Sequence, residues 1–217
     1  ATGEFTPSTA GVGTFTITYD IINGECSDTD TEDFTVDFYP NSDWTPVGPF
    51  CESDASVILS SVNPGGTWSG TGITDPVNGI FDPGTAGGGN HNITYTIING
   101  ACTSPTTYQI NVDAEVDATI TPAGPFCETQ VSTVLTAASP GGTWSGTGIV
   151  NPATGLFSPS GAGPGTFVIT YDIINGLCSD SDTENITVNS NPDSDWTPQG
   201  PFCENAASVI LVPVTFG

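Results

Sequence analysis

The 217-residue chain contains no lysine, no arginine, no methionine and a single histidine, and its 24 aspartates and glutamates leave a formal charge of −24. Phosphate backbones and anionic headgroups are held by cationic side chains, so nucleic acid is excluded as a partner, as is electrostatic attachment to a membrane. Every cleavage site for a trypsin-like protease is missing as well. No apolar run reaches the length of a membrane span, and no basic segment leads into an apolar stretch, so neither a span nor a signal peptide is expected. His91 stands where sister segments carry Phe15 and Phe167, which reads as a substituted strand aromatic rather than a general base. Serines lack a nucleophile elbow and a histidine partner. Gly70-Thr-Gly72 and Gly146-Thr-Gly148 lack the strand-turn-helix setting of a nucleotide loop. Catalysis is not expected.

What the chain does have is repetition. Gly-Pro-Phe-Cys ends at Cys51, Cys127 and Cys203, and a second series runs Cys26, Cys102, Cys178; both recur every 76 residues without a gap. Between them stand Pro-Gly-Gly-Thr-Trp-Ser-Gly-Thr-Gly-Ile, Gly-x-Phe-x-Pro and Ile-Thr-Tyr-x-Ile-Ile-Asn-Gly-x-Cys. This divides the chain into the second half of a repeat at 1–40, whole repeats at 41–113 and 114–188, and the first half of another at 189–217.

Phe15, Ile17, Tyr19 and Ile21 alternate with polar residues, the period of a half-buried strand. Asn23-Gly24 then predicts a two-residue hairpin loop that sets Ile21 opposite Cys26, with Ile97 opposite Cys102 and Ile173 opposite Cys178. Glycine and proline fall between short apolar runs, and no segment shows helical spacing. The expected fold is all-β: tandem small immunoglobulin-like antiparallel β-sandwiches, stapled by disulfides, with no helix longer than a turn or two.

Six cysteines at repeated positions read as a disulfide framework from an oxidising compartment. The expected pairs within whole repeats are Cys51 with Cys102 and Cys127 with Cys178. Cys26 and Cys203 are then left to pair with each other between chains. Trp68 and Trp144 are expected to pack in the cores against the disulfides, with Tyr19, Tyr95 and Tyr171 as further core aromatics; stacking on carbohydrate is the sharper alternative for the tryptophans.

Acidic clusters offer hard oxygen ligands. Asp28 and Asp30, Asp180 and Asp182, and the linker acids Asp43, Asp113, Glu115, Asp117, Asp193 and Asp195 are candidates for calcium at the repeat junctions, although their spacing is not that of an EF-hand. The plain alternative is a solubilising, self-repelling surface. No other cofactor is expected. Asn92-Ile-Thr94 and Asn185-Ile-Thr187 satisfy the N-glycosylation sequon on predicted strands.

With these motifs assembled, the chain resembles, over essentially its whole length, the immunoglobulin-like repeats of large secreted surface proteins of Bacteroidota. The resemblance implies an extracellular or cell-surface location and a tandem architecture of the kind found in adhesins and gliding-associated filaments, with no catalytic residues. The expected role is a structural subunit of an extracellular fibre. Residues 189–217 of one chain and 1–40 of the next would complete a domain head to tail, with Cys203 meeting Cys26. The alternatives are a monomeric adhesin recognising a carbohydrate or host surface, and a slice of a longer repeat protein.

Overall fold

In a computed structural model, which describes residues 3–192, 194–195 and 198–211, the chain forms two compact units, Ala1–Glu115 with Gly176–Cys178 and Val116–Asn175 with Ser179–Gly217. The fold is all-β, and the three helices among the described residues, α1 (Pro7–Ala10), α2 (Pro83–Ala86) and α3 (Pro159–Ala162), are single turns opened by proline. Proline suits the first helical position because its missing N–H would have no intrahelical partner there.

In the first unit the long strands β8 (Gly89–Asn99) and β9 (Cys102–Asp113) form an antiparallel hairpin. Strand β5 (Thr67–Ser69) pairs with β8, and β3 (Phe50–Cys51) lies parallel to the end of β9, giving the order β3-β9-β8-β5. A second sheet of β4 (Val57–Ile58), β7 (Ile80–Phe81) and β6 (Ile73–Asp75) completes the sandwich. The second unit repeats the plan with β10 (Phe126–Cys127), β16 (Cys178–Asn189), β15 (Gly165–Asn175) and β12 (Thr143–Ser145), and with β11 (Thr133–Val134), β14 (Leu156–Phe157) and β13 (Ile149–Asn151).

Alternation along β8 turns Ile93, Tyr95 and Ile97 inward onto Trp68, Trp44 and Phe81. Trp68 packs on Tyr95 with ring centroids 4.6 Å apart and meets Trp44 edge-on at 5.1 Å. The Tyr95 hydroxyl donates to the Asn63 carbonyl (2.7 Å) and accepts from the Gly66 amide (2.8 Å), so the buried phenol has partners for both roles. Gly79, at φ 69°, lies against the Trp68 indole; a Cβ there would stand 2.6 Å from Nε1, which excludes any side chain. Trp144, Tyr171 and Gly155 repeat the arrangement. The tryptophan partners are thus aromatic rings and a glycine. With both indoles buried, they offer no platform for a sugar.

Two expectations are corrected here. The hairpin loop is Gly24-Glu25 rather than Asn23-Gly24, because Asn23 closes the ladder opposite Cys26; Ile21 faces Asp28, and Ile97 faces Ser104. Cys102 therefore lies at the hairpin end, opposite Asn99 and beyond the Ile97 pair. Tyr19 is 64% exposed, against 1% for Tyr95 and 2% for Tyr171. It lies on β1 (Gly13–Asn23), which pairs with β2 (Cys26–Val36) in a sheet that, among the described residues, has these two strands alone, with no counterpart of β5 beside it and no counterpart of the β4-β7-β6 sheet over it.

Candidate functional site

The cysteines, not the acids, mark the site. Among the described residues the one disulfide joins Cys51 to Cys178, with Cα atoms 5.0 Å apart, and Cys26, Cys102, Cys127 and Cys203 are free. The expected pairs Cys51–Cys102 and Cys127–Cys178 do not form. Cys51 pairs alongside Asp113, the last residue of β9, whereas Cys102 is its first. Eleven steps at about 3.3 Å place the two about 36 Å apart, well beyond the reach of a disulfide of about 7 Å.

The bond is built around Asp113. Its carbonyl accepts from the Glu52 amide (3.0 Å), which holds β3 in place, and Cys178 Sγ lies 3.1 Å from the same oxygen. Its carboxylate accepts from the Leu177 amide (2.8 Å). Gly176, at φ 59°, lets the turn come down onto that carboxylate, where a Cβ would collide with it. One aspartate thus holds both a strand bearing one cysteine and a hairpin tip bearing the other.

The same parts recur incompletely elsewhere. Asp37 accepts from the Ala101 amide through its carboxylate (2.9 Å), the Phe38 carbonyl accepts from Asn99 Nδ2 (2.9 Å), and Cys102 Sγ lies 3.7 Å from the Asp37 carbonyl oxygen. The tip is seated, but in place of the cysteine-bearing strand there is a cleft of about 580 Å³, lined among others by Phe5, Pro7, Val12, Phe34, Val36 and Cys102. In the second unit the reverse holds: β10 is seated, with Cys127 beside Asn189 and the Glu128 amide on the Asn189 carbonyl (3.0 Å), and the thiol is free. Hydrogen bonds from the Thr129 hydroxyl and amide hold the Cys127 thiol below its ordinary pKa.

Asp180 and Asp182 accept from the Ala118 and Ile120 amides, each at 2.8 Å, and so bind the incoming segment to the sandwich. At the equivalent places in the first unit Ser42 Oγ meets Ser104 Oγ (2.9 Å) and Thr106 Oγ1 (2.7 Å). Asp28 and Asp30, at the same positions of β2, are exposed. Asp117 has its pKa lowered by the Thr119 side chain and amide. No cluster of three or more histidine, cysteine or acidic residues that could hold a metal ion occurs among the described residues, and Asp193 lies outside them. His91 Nε2 donates to the Gly87 carbonyl (2.8 Å), an anchoring role. The sequon residues Asn92 and Asn185 are exposed on β8 and β16. Among the described residues no helix is long and apolar enough to cross a membrane.

No protein-family model matches the chain. No curated protein matches its sequence. Solved structures do match. A SusE-like surface located polysaccharide binding protein from the Bacteroides thetaiotaomicron heparin utilisation locus is 12% identical, with a TM-score of 0.31 over 74% of this chain and 35% of that one. Mouse protocadherin-24 EC1-3 is 11% identical, with a TM-score of 0.32 over 83% of this chain and 80% of that one. Drosophila OTK extracellular domains 3–5 are 12% identical, with a TM-score of 0.38 over 86% of this chain and 73% of that one. The chain spans about a third of the length of the first.

Proposed function

We propose that the chain is a structural, non-catalytic segment of an extracellular fibre, assembled head to tail with further copies of itself. One observation carries the reading. The face of β1 that bears Ile17, Tyr19 and Ile21 is exposed, while the same positions on β8, Ile93, Tyr95 and Ile97, are buried by their own sandwich. An apolar sheet face with unpaired edges associates readily, and residues 189–211 carry the sequence of two strands that complete the sandwich elsewhere, with Phe202-Cys203 matching the edge strand Phe50-Cys51 and Val209-Ile210 the facing strand Val57-Ile58. Two different surfaces joined in this way form an open filament when the rotation does not close a ring. The disulfide fits an oxidising compartment, and the high negative charge keeps assembled repeats from clumping side by side.

Negative-stain imaging and light scattering of the purified chain test this. Filaments of constant axial repeat, with a mass that rises with concentration, are expected. Dispersed particles of about one chain mass at all concentrations would favour a monomeric adhesin instead.

A further inference from the structure

The Cys51–Cys178 bond has three components: a cysteine strand, a sheet end that holds it, and a hairpin tip bearing the second cysteine. Cys102 has its tip seated and lacks the strand. Cys127 has its strand seated and lacks the tip. Cys26 is an unseated tip and Cys203 an unseated strand cysteine, both exposed. The four free thiols are therefore two complementary pairs of half-sites.

We propose that the cleft beside Cys102 receives Phe202-Cys203 of a second copy of this chain, with Cys203 oxidised onto Cys102, and that Cys127 of the donating copy takes Cys26 of the receiving copy in the same way. The proposal rests on the head-to-tail reading and gives it a pairing, replacing the expected Cys203–Cys26 bond.

The occupant is identified by what fills the equivalent place in the same chain. At the end of β9, Phe50 lies beside Val112 and packs on Phe81 at 6.0 Å between ring centroids; in the second unit Phe126 lies beside Val188 and packs on Phe157 at 5.6 Å. The cleft presents the counterparts of those hosts, Val36 and Phe5, at its wall. Phe202 and Cys203 stand in Pro-Phe-Cys-Glu, the sequence of Pro49–Glu52, and Phe202 is 54% exposed. The Asp37 carbonyl stands where the Asp113 carbonyl takes the Glu52 amide, and so presents an acceptor to Glu204. Cys102 is held against Asp37 as Cys178 is held against Asp113.

The register agrees independently. Cys51 and Cys178 are 127 residues apart, which is one 76-residue period plus the 51 residues between Cys51 and Cys102. Setting the next copy three 76-residue periods on, which leaves 11 positions between the end of one 217-residue chain and the start of the next, places Cys127 against Cys26 and Cys203 against Cys102 at this same separation of 127. Each bond releases two thiol protons and gives two electrons to a low-molecular-weight disulfide, which leaves as two thiols.

The test oxidises a mixture of ¹⁵N-labelled and unlabelled chain in a glutathione redox buffer at high salt, where repulsion between acidic copies is screened. A ladder on non-reducing gels that collapses with reductant is expected. Glutamate-specific digestion should yield Cys203–Cys102 and Cys127–Cys26 peptides of mixed isotope label, and Cys102→Ser or Cys203→Ser should remove the first peptide completely while leaving the second. A Cys203–Cys26 peptide, or a Cys203–Cys102 bond inside a monomer, overturns the proposal. So does a tandem fusion of two copies that forms the bond internally while the single chain forms none, since the cleft then belongs to a preceding repeat of one polypeptide. The quadruple variant C26S/C102S/C127S/C203S separates the two levels. If it associates by light scattering while the wild type lacks the Cys203–Cys102 peptide, the pairing falls and head-to-tail assembly stands; if neither associates, both fall.

Discussion

Cys51 and Cys178 are bonded with their Cα atoms 5.0 Å apart although 127 residues of chain separate them. A crosslink over so long a loop restricts the unfolded chain strongly, and the chain-entropy estimate for loops of this order is up to about 5 kcal/mol, with about 2–4 typical. The double variant C51S/C178S is expected to lose an amount in that range in urea unfolding. Wild-type protein in reductant should match the variant, and equal midpoints with and without the bond would contradict this.

The core predicts a second pair of effects. Gly79→Ala places a methyl against the Trp68 indole at a left-handed backbone position, for a cost of about 2–4 kcal/mol. Tyr95→Phe deprives the Gly66 amide of its acceptor and should cost about 1–3 kcal/mol without disturbing the ring packing on Trp68. Thermal melting followed by near-ultraviolet circular dichroism checks both, since the tryptophan signal should persist in the phenylalanine variant and change in the alanine one.

Much of this was legible beforehand. The alternation Ile93, Tyr95, Ile97 and the glycine punctuation determine a sandwich, because period-two burial needs a covering layer and short strands need tight turns. The cysteine partners were hidden by the repeat itself: in a constant-period array, Cys51 stands in equivalent relation to Cys102 and to Cys178, and spacing does not choose between them. The choice lies in the parallel pairing of β3 with the far end of β9, a non-local contact of only two residues. The hairpin loop lies one residue further on than Asn-Gly predicts, which moves each cross-strand partner by two positions; Asn-Gly is a good loop pair locally, yet Asn99 gains a bond to the Phe38 carbonyl when it sits on the ladder. Tyr19 shows the remaining limit, since a strand sequence does not say whether its cover is present.

Asp182 is expected to act as a structural acceptor rather than a metal ligand. Asp182→Ala removes the partner of the Ile120 amide and should cost about 1–2 kcal/mol, while the melting temperature of the wild type should be the same in millimolar calcium and in chelator. A calcium-dependent rise in melting that disappears in this variant would restore the metal reading.

Asp75 links stability to pH. The Asn78 amide, with the Asn78 side chain and the Val77 amide, holds its carboxylate below the ordinary pKa. A depressed folded-state pKa stabilises the native chain above the unfolded pKa, and that contribution is lost as pH falls through the folded value. The difference in melting temperature between wild type and Asp75→Ala should therefore be full above about pH 4–5 and shrink below that. A difference that stays constant down to pH 2 would refute the linkage.

The reactivity of the Cys127 thiol is set by its neighbour Thr129. The thiolate is the attacking form in disulfide exchange, so a thiol held below its ordinary pKa has a larger reactive fraction at neutral pH. Thr129 is the cause, through its hydroxyl 3.2 Å from Sγ and through its amide. Thr129→Val keeps the branched shape and removes the hydroxyl, which raises the Cys127 pKa. Alkylation of Cys127 by iodoacetamide, followed by mass spectrometry of the digested chain, should slow severalfold in the variant at pH 7, with its pH–rate curve displaced upward; the rate at Cys26, remote from the substitution in sequence, should be unchanged. If the reducible ladder forms through Cys127, its appearance at pH 7 should slow in step. Unchanged alkylation at Cys127 would show that Thr129 does not set its reactivity.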